Sequence, residues 1–306
     1  MRIAPGVVQI DTLLGGWRQV TAGYLIEGPA PVLVETGSQS SVPALLAALD
    51  GLGLGADDLA AVVVTHIHLD HAGGVGDVAR AFPQATVHVH ERGARHLVDP
   101  ARLVASAARV YGDLLDDLYG RLLPTAIDRI RVLGDGDEVA VGGGRVLTAV
   151  DSPGHARHHL ALHDSDSGLL FAGDAVGVHL PDVGVLRPAT PPPEFDLDAA
   201  VLSLRRFADR RPQALALAHF GVIPGDPQVV LAQAEEAVRR WGEVAEGAWQ
   251  RGDDVARALT ESFGAEMAGA DAAQRSRMEA LNGIHSNAAG LRRWLETGGD
   301  ASPSSG

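Results

Sequence analysis

The stretch VVVTHIHLDHAGG, residues 62 to 74, places three histidines and an aspartate directly after an apolar run. Val62, Val63 and Val64 are β-branched and uninterrupted, which indicates a short strand buried on both faces. An imidazole or a carboxylate at the end of such a strand must find a partner or stay in contact with water. A metal ion would satisfy several of these groups at once, so the stretch predicts a metal site at a strand end.

The spacing within this stretch predicts two neighbouring positions for metal ions. His66 and His68 are separated by one residue and can point to one side of an extended chain. Asp70 and His71 follow a turn later and can face a second position, at the separation of about 3.5 Å that is usual in two-metal sites. Two ligands for each ion are fewer than a tetrahedral site needs, so further ligands must come from elsewhere in the chain.

Three more strand ends supply polar residues of the same kinds. His155 follows a strand in DSPGHARHH, Asp174 follows one in LLFAGDAVG, and His219 follows one in LALAHFG. Each is a lone polar residue after an apolar run, with a glycine beside it that lets the backbone approach closely. The chain contains no cysteine, so any metal must be held by His, Asp or Glu.

Composition narrows the class of protein. The 306 residues are 46% hydrophobic, as in an ordinary globular protein with one large domain or a domain and a subdomain. The formal net charge is −14, and there is no run of Lys or Arg, which argues against nucleic acid as a partner. No apolar stretch reaches the roughly 18 residues of a membrane span, and the start of the chain lacks a leader pattern. We therefore expect a cytoplasmic protein that acts on a small molecule, away from membranes.

The order of strand and helix signals predicts the domain organisation. Residues 1 to 225 contain two β-rich halves with helices outside, which indicates a layered α/β sandwich, interrupted by a helical lid at about 92 to 124. Residues 226 to 297 form a predicted helical subdomain, and residues 298 to 306 a flexible tail. A homodimer face could be buried by the tryptophans of this subdomain, which are Trp241, Trp249 and Trp294.

The full ordered set of motifs resembles the metallo-β-lactamase superfamily. The set consists of HxHxDH at residues 66 to 71, GH ending at His155, GD ending at Asp174, and the lone His219, and the match covers roughly residues 1 to 225. The resemblance implies a four-layer αβ/βα sandwich of the glyoxalase II and lactonase branch. The helical extension, ending MEALNGIHSNAAGLRRWLE, is similar to that of an uncharacterised archaeal and bacterial subgroup.

The resemblance also implies the metal ligands and their grouping. The first ion matches His66, His68 and His155, the second matches Asp70, His71 and His219, and Asp174 matches the carboxylate that bridges them. An imidazole at position 68, where the diiron branch has Glu, favours two zinc ions, with iron or manganese as the alternatives. Glu35 stands where many relatives carry Asp, and its role is left open.

The implied activity is a binuclear metal hydrolase. A hydroxide held between the metals would attack, because coordination lowers the pKa of water from 15.7 to about 7. Asp70 is the predicted catalytic residue, since it is the carboxylate nearest that hydroxide. The expected substrate is a small ester, thioester or lactone, although DAVGVHL lacks the tyrosine that lactonases carry after the bridging aspartate. Predicted substrate contacts are Tyr111 on the lid, and Asn282 and His285 on one face of the last helix.

Three other functions fit parts of the pattern. A persulfide dioxygenase of the same superfamily would bind a single iron through the residues matching His66, His155 and Asp174. A phosphodiesterase or nuclease is disfavoured by the net charge. A metal-binding protein without catalysis predicts bound metal and no turnover.

Overall fold

The computed structural model describes residues 1–112 and 114–298, except the side chain of Val110. Its contacts divide the chain into two compact units. Unit 1 combines Met1–Asp151, Leu160–Gly173 and Gln213–Val222, and unit 2 combines Ser152–His159, Asp174–Pro212 and the chain from Ile223 onward.

Seven strands of unit 1 form the first sheet, in sequence order from edge to edge. They are β1 (Arg2–Ala4), β2 (Val7–Asp11), β3 (Ala22–Ile26), β4 (Val32–Val34), β5 (Ala61–Val63), β6 (Thr86–His90) and β7 (Ile130–Leu133). The pairs from β1 to β4 are antiparallel, and those from β4 to β7 are parallel. β5 carries most of the apolar run predicted as a strand, and it is buried along its length.

The second sheet also belongs to unit 1 and has the order β15-β14-β11-β10-β9-β8. Its strands are β8 (Glu138–Gly142), β9 (Arg145–Asp151), β10 (Leu160–Asp164), β11 (Leu169–Gly173), β14 (Ala214–Leu217) and β15 (Gly221–Val222). Unit 2 contributes a small hairpin of β12 (Val178–Leu180) and β13 (Val185–Arg187). Since β10 is antiparallel to β9 and β11, and β14 is parallel to β11, the strands β9, β11 and β14 end at one edge.

The two sheets of unit 1 share one hydrophobic core. Val34 and Val63 of the first sheet belong to the same buried cluster as Leu162 of the second. Tyr24 packs on Phe171 with ring centroids 5.0 Å apart, and its hydroxyl donates a hydrogen bond to the carbonyl of Leu217. Two sheets that pack face to face form a β-sandwich, and the helices between its strands in sequence make the architecture a mixed α/β one. The predicted fold class is confirmed.

The helices of unit 1 lie between its strands in sequence. They are α1 (Val42–Gly51), α2 (Leu69–Ala72), α3 (Val75–Ala81), α4 (Glu91–Val98) and α5 (Ala101–Tyr111), followed by a π-helical turn at Leu115–Tyr119. α4, α5 and the π-turn occupy the stretch predicted as a lid. Gln39 anchors this lid: its Oε1 accepts from the Arg121 N–H at 2.6 Å, and its Nε2 donates to Asp77 at 3.1 Å. The lid is therefore tied to α3 of the same unit.

The helices of unit 2 confirm the predicted C-terminal helical region. They are α6 (Leu197–Asp209), α7 (Pro227–Arg251), α8 (Val255–Phe263), α9 (Ala272–Asn282) and α10 (Ile284–Glu296). α7 begins with Asp226 as cap and Pro227 in its first turn, and it ends at Gly252 with φ 73°. Within residues 1–112 and 114–298, we find no helix that combines the length and apolarity needed to cross a bilayer. Of the predicted tail, residues 299–306 lie outside the described part of the chain.

Candidate metal centre

The HxHxDH segment is fastened to the turn that follows β4. The N–H and the Oγ1 of Thr36 both donate to the carbonyl of His71, at 3.0 and 2.8 Å. α2 is a single turn, and Gly73 lets it pass close to this part of the chain. A Cβ at Gly73 would lie only 2.9 Å from the backbone nitrogen of Gln39. The glycines of the motif thus allow two backbone segments to pack closely. This packing holds the backbone that carries the His and Asp side chains.

Unit 1 brings together five of the seven predicted ligands. Nε2 of His66 lies 3.0 Å from Nδ1 of His68. Nε2 of His71 lies 3.2 Å from Nε2 of His219. Oδ2 of Asp70 lies 3.4 Å from that His219 nitrogen and 3.7 Å from Nε2 of His71. Asp70, His71 and His219 therefore turn three ligand atoms toward a common point.

These distances fit a divalent metal ion. Metal–nitrogen bonds of about 2.0–2.1 Å at tetrahedral angles put neighbouring ligand atoms roughly 3.3 Å apart. The three separations among Asp70, His71 and His219 are 3.2, 3.4 and 3.7 Å, which is close to one face of such a tetrahedron. Imidazole and carboxylate together suit zinc and other divalent first-row metals. The donor atoms of unit 1 can hold such an ion with little rearrangement.

In each of three histidines, the ring nitrogen Nδ1 has a contact of its own, which fixes the orientation of the imidazole. Nδ1 of His219 donates to the carbonyl of Val20 at 3.0 Å, so Nε2 is the nitrogen that faces Asp70. Nδ1 of His66 lies 3.0 Å from Oγ1 of Thr65. Nδ1 of His71 lies 3.6 Å from Oε2 of Glu35. Contacts of this kind set the tautomer of a metal-binding histidine and raise its basicity.

Glu35 is a functional candidate that sequence reasoning left open. It is buried, and its backbone has a left-handed φ of 66°, which costs on the order of 1–3 kcal/mol for a residue with a side chain. This turn directs Oε1 to accept from the N–H of Thr65 at 3.2 Å and Oε2 toward His71. The strained backbone thus holds a carboxylate behind a predicted metal ligand. In the sequence, its only signal is an acid after an apolar strand.

Glu35→Gln is expected to weaken metal binding about 10- to 100-fold, because an amide lacks the negative charge that makes the His71 imidazole a better donor. Competition with a fluorescent chelator measures the effect, and circular dichroism checks that the fold is kept. Glu27→Gln is the matched control, since Glu27 pairs with Arg2 at the surface. Equal metal affinities for the Glu35 variant and the wild type would contradict the assigned role.

Unit 2 holds the other two predicted ligands, His155 and Asp174. Nδ1 of His155 donates to the carbonyl of Ala189 at 3.1 Å, and Nε2 lies 3.4 Å from Oδ2 of Asp174. The N–H of Asp174 donates to Nε2 of the buried His159 at 3.1 Å. Gly154 permits this loop, because a Cβ there would lie 2.3 Å from the Cα of Ala200. A histidine nitrogen and a carboxylate oxygen are again brought together at short range.

The last two helices hold the carbonyl that orients His155. Oδ1 of Asn287 accepts from the N–H of Thr190 at 2.6 Å, and Nδ2 of Asn282 donates to the carbonyl of Pro188 at 3.1 Å. The two asparagines bond to each other at 2.8 Å. The two asparagines together thus hold the chain on either side of Ala189, while the role of Asn282 in substrate binding stays a prediction. The prediction that Asn282 and His285 share one face of the last helix is wrong, because Asn282 ends α9 and His285 lies in the first turn of α10, with Gly283 breaking the helix between them. His285 is exposed, and its role in substrate binding is likewise a prediction.

Within unit 1, the predicted lid contains two tyrosines whose hydroxyl pKa values are raised in part by the charge of Asp70. The rings of Tyr111 and Tyr119 lie 4.5 Å apart. Although Tyr111 is 37% exposed, partial burial raises the pKa of its hydroxyl, and the charge of Asp70 contributes to the rise. The pKa of Tyr119 is raised well above its usual value, again by burial first, then by Tyr111 and Asp70. Both hydroxyls therefore stay protonated at neutral pH and can donate hydrogen bonds.

The structure is a two-sheet α/β sandwich with His and Asp side chains at its strand ends. Proteins of this class are suited to bind divalent metals. The chain belongs to the metallo-beta-lactamase superfamily, whose family model matches residues 15–219. The HxHxDH segment and the strand end at His219 both fall within this match.

Curated relatives support the same branch of the family. Protein ST1585 of Sulfurisphaera tokodaii, a metallo-beta-lactamase fold-containing protein, is 33% identical over 171 residues, which are 55% of this chain and 62% of ST1585. The acyl-coenzyme A thioesterase MBLAC2 of Bos taurus is 35% identical over 117 residues, covering 37% of this chain and 40% of the thioesterase. A hydroxyacylglutathione hydrolase of Rhodopseudomonas palustris is 32% identical over 159 residues, covering 50% and 47%. The matched part of the chain thus spans less than two thirds of the length of each of these relatives.

A crystal structure of ST1585, described as from Sulfolobus tokodaii, has the same fold. It superposes with a TM-score of 0.64 at 26% identity and covers 76% of this chain and 85% of that chain. The predicted similarity to archaeal members of the superfamily is therefore confirmed at the level of the fold.

Proposed function

We propose that this protein is a metal-dependent hydrolase that cleaves a small thioester or ester. The triangle of Asp70, His71 and His219, with the ligand separations of a tetrahedral site, is the observation that carries the proposal. Similarity to an acyl-coenzyme A thioesterase and to a hydroxyacylglutathione hydrolase supports the thioester as the first choice. The lactone stays the last choice, as expected from the sequence, because no tyrosine follows Asp174 closely.

The proposed ligand set follows the order of the family's motifs. His66, His68 and His155 would hold one ion, Asp70, His71 and His219 a second, and Asp174 would serve both. Zinc is the proposed metal, since all seven donors are imidazole or carboxylate groups and position 68 is a histidine. Iron and manganese remain the metals to compare with it.

Bound divalent ions would supply Lewis acidity toward the carbonyl group and make a water molecule acidic enough to react near pH 7. Asp70 would orient a water molecule and accept its proton, and this proposal is supported by its position as a carboxylate beside His71 and His219 with a side chain that is 16% exposed. The water oxygen forms the new C–O bond, the C–S bond breaks, and the sulfur leaves as thiolate. A thiol has a pKa of about 8.5, so this leaving group demands little help from a proton donor.

Metal content together with a substrate panel tests the proposal. Protein purified without chelators or a His-tag is analysed by plasma mass spectrometry beside His66→Ala, with His96→Ala as a control on the surface helix α4. We expect divalent metal in the wild type and the control, less in His66→Ala, and turnover of a thioester or ester by the metal-loaded wild type. Bound metal with no turnover on any thioester, ester, lactone or β-lactam would favour a non-catalytic protein. One iron per chain with oxygen uptake would favour the dioxygenase.

A further inference from the structure

An apolar groove with a volume of about 580 Å³ runs along α5 in the lid. Its apolar lining includes Val98, Ala101, Val104, Ala105, Ala108 and Leu122. The volume is within the roughly 300–1,000 Å³ of small-molecule sites. The groove is therefore large enough for a ligand of that size, and its walls suit an apolar one.

The charged residues of the groove already have partners. Oδ1 of Asp99 accepts from the N–H of Ala101 at 3.1 Å, which caps the start of α5. Arg121 forms two hydrogen bonds with the carboxylate of Asp116, at 2.7 and 3.0 Å. A ligand therefore gains little from these charges. The free energy of ligand binding in the groove comes mainly from burial of hydrocarbon surface, at about 25 cal/mol per Å².

Tyr111 ends α5, three residues after Ala108, the last residue of this helix that lines the groove. Ala101, Val104, Ala105 and Ala108 share one face of α5 at helical spacing, and Tyr111 is the next position along this face. Tyr119, whose ring packs on Tyr111, lies just before Arg121 in the groove wall. The charge of Asp70 acts on both hydroxyls. The end of the groove nearer Tyr111 is therefore the end on the side of the two tyrosines whose pKa values Asp70 helps to raise.

The groove has the length of a medium acyl chain. Residues 101 to 108 of a helix span about 10 Å at 1.5 Å per residue. An extended hydrocarbon with C–C bonds of about 1.5 Å reaches this length with roughly eight carbon atoms. Short acyl groups such as butanoyl would leave most of the groove unfilled.

We propose that this groove binds the acyl chain of a medium-chain acyl thioester, with the carbonyl end toward Tyr111 and Asp70. The inference rests on the proposed thioester hydrolysis and specifies its substrate class. The chain is recognised by hydrocarbon burial, and the thiol part of the substrate is left to other contacts. Octanoyl thioesters are therefore expected to be much better substrates than butanoyl thioesters.

The test compares chain lengths in groove-filling variants. In the wild type, each buried methylene is expected to raise kcat/KM about two- to fourfold, so octanoyl should exceed butanoyl by at least about tenfold. Ala108→Trp fills the groove beside Tyr111 and should bring this ratio close to one. Ala101→Trp fills the far end and should penalise only the longest chains. Ser106→Trp, at an exposed position of α5 outside the lining, is the matched control and should keep the wild-type ratio.

Binding measurements separate this inference from the proposed function. Calorimetry with the non-hydrolysable thioethers S-octyl-coenzyme A and S-butyl-coenzyme A, and with the corresponding thioethers of N-acetylcysteamine, needs no turnover and distinguishes the two thiol carriers. Octyl compounds should bind at least about tenfold more tightly than butyl compounds, and Ala108→Trp should remove this difference. Metal-loaded protein that shows this binding but cleaves no thioester would support the groove and refute the proposed function.

Equal affinities for octyl and butyl thioethers, or a chain-length preference that survives Ala108→Trp in folded protein, would overturn the inference. A second copy of the chain is the other occupant to consider. Mass photometry across protein concentrations detects it. A dimer that Ala108→Trp abolishes while octyl affinity stays unchanged would likewise overturn the acyl groove.

Discussion

Asp70→Asn is expected to lower kcat for the best thioester or ester substrate by about 100- to 1,000-fold, the loss typical when a site loses a charged group that stabilises the transition state. Asp70 is the carboxylate of the triangle, and its Oδ2 lies within 3.7 Å of two histidine nitrogens. An amide keeps the shape but carries no charge and accepts no proton. Steady-state kinetics with saturating metal separates the loss of the base from the loss of the ion, and metal content is measured on the same samples.

The control for this variant is Asp117→Asn, which makes the same chemical change at an exposed position of the lid. It should leave kcat and metal content unchanged. If Asp70→Asn retained wild-type kcat with full metal content, Asp70 would have neither of the roles assigned to it.

Arg145→Met is expected to destabilise the fold by about 3–5 kcal/mol, because it leaves the buried carboxylate of Asp164 without its partner. Nε and Nη2 of Arg145 donate to the two oxygens of Asp164 at 2.8 and 2.5 Å, across β9 and β10. Urea unfolding of metal-free proteins measures the difference. Arg2→Met, which breaks the surface pair with Glu27, is the control and should cost no more than about 1 kcal/mol. Similar losses for the two variants would contradict the assignment.

The same pair predicts how the stability difference depends on pH. Burial acts to raise the pKa of Asp164, but hydrogen bonds from Arg145 and Ser167 outweigh it and hold the pKa below its usual value. A carboxyl group with a lowered pKa in the folded state stabilises the fold above its unfolded pKa of about 3.9, and this contribution is lost as the pH falls through the folded value. The stabilisation that the wild type gains from Asp164 should therefore be full at neutral pH and be lost as the pH falls below about 4, and the gap to Arg145→Met should be smaller in acid than at neutral pH.

The predicted metal ligands show how much of this site a local sequence pattern can predict. The motif HxHxDH after an apolar run predicts a strand end and a turn that carry His and Asp side chains. These features depend only on residues within a few positions of each other. The same holds for His219 at the end of β14 and for Asp174 at the end of β11. The ordered set was therefore enough to predict the family and its fold class, which the family match confirms. The assignment of each ligand to an ion stays a prediction.

The groups that orient these ligands were decided by the tertiary structure. Glu35 faces His71 from a left-handed backbone conformation that no residue pattern marks. The backbone carbonyl of Ala189 accepts a hydrogen bond from His155. Asn287 accepts one from the N–H of Thr190, although the two residues are 97 positions apart in the sequence. Hydrophobic periodicity and residue type are local properties of a chain. Which polar atoms meet across long sequence separations depends on how all the buried surfaces pack together, so these contacts appear only in the folded protein.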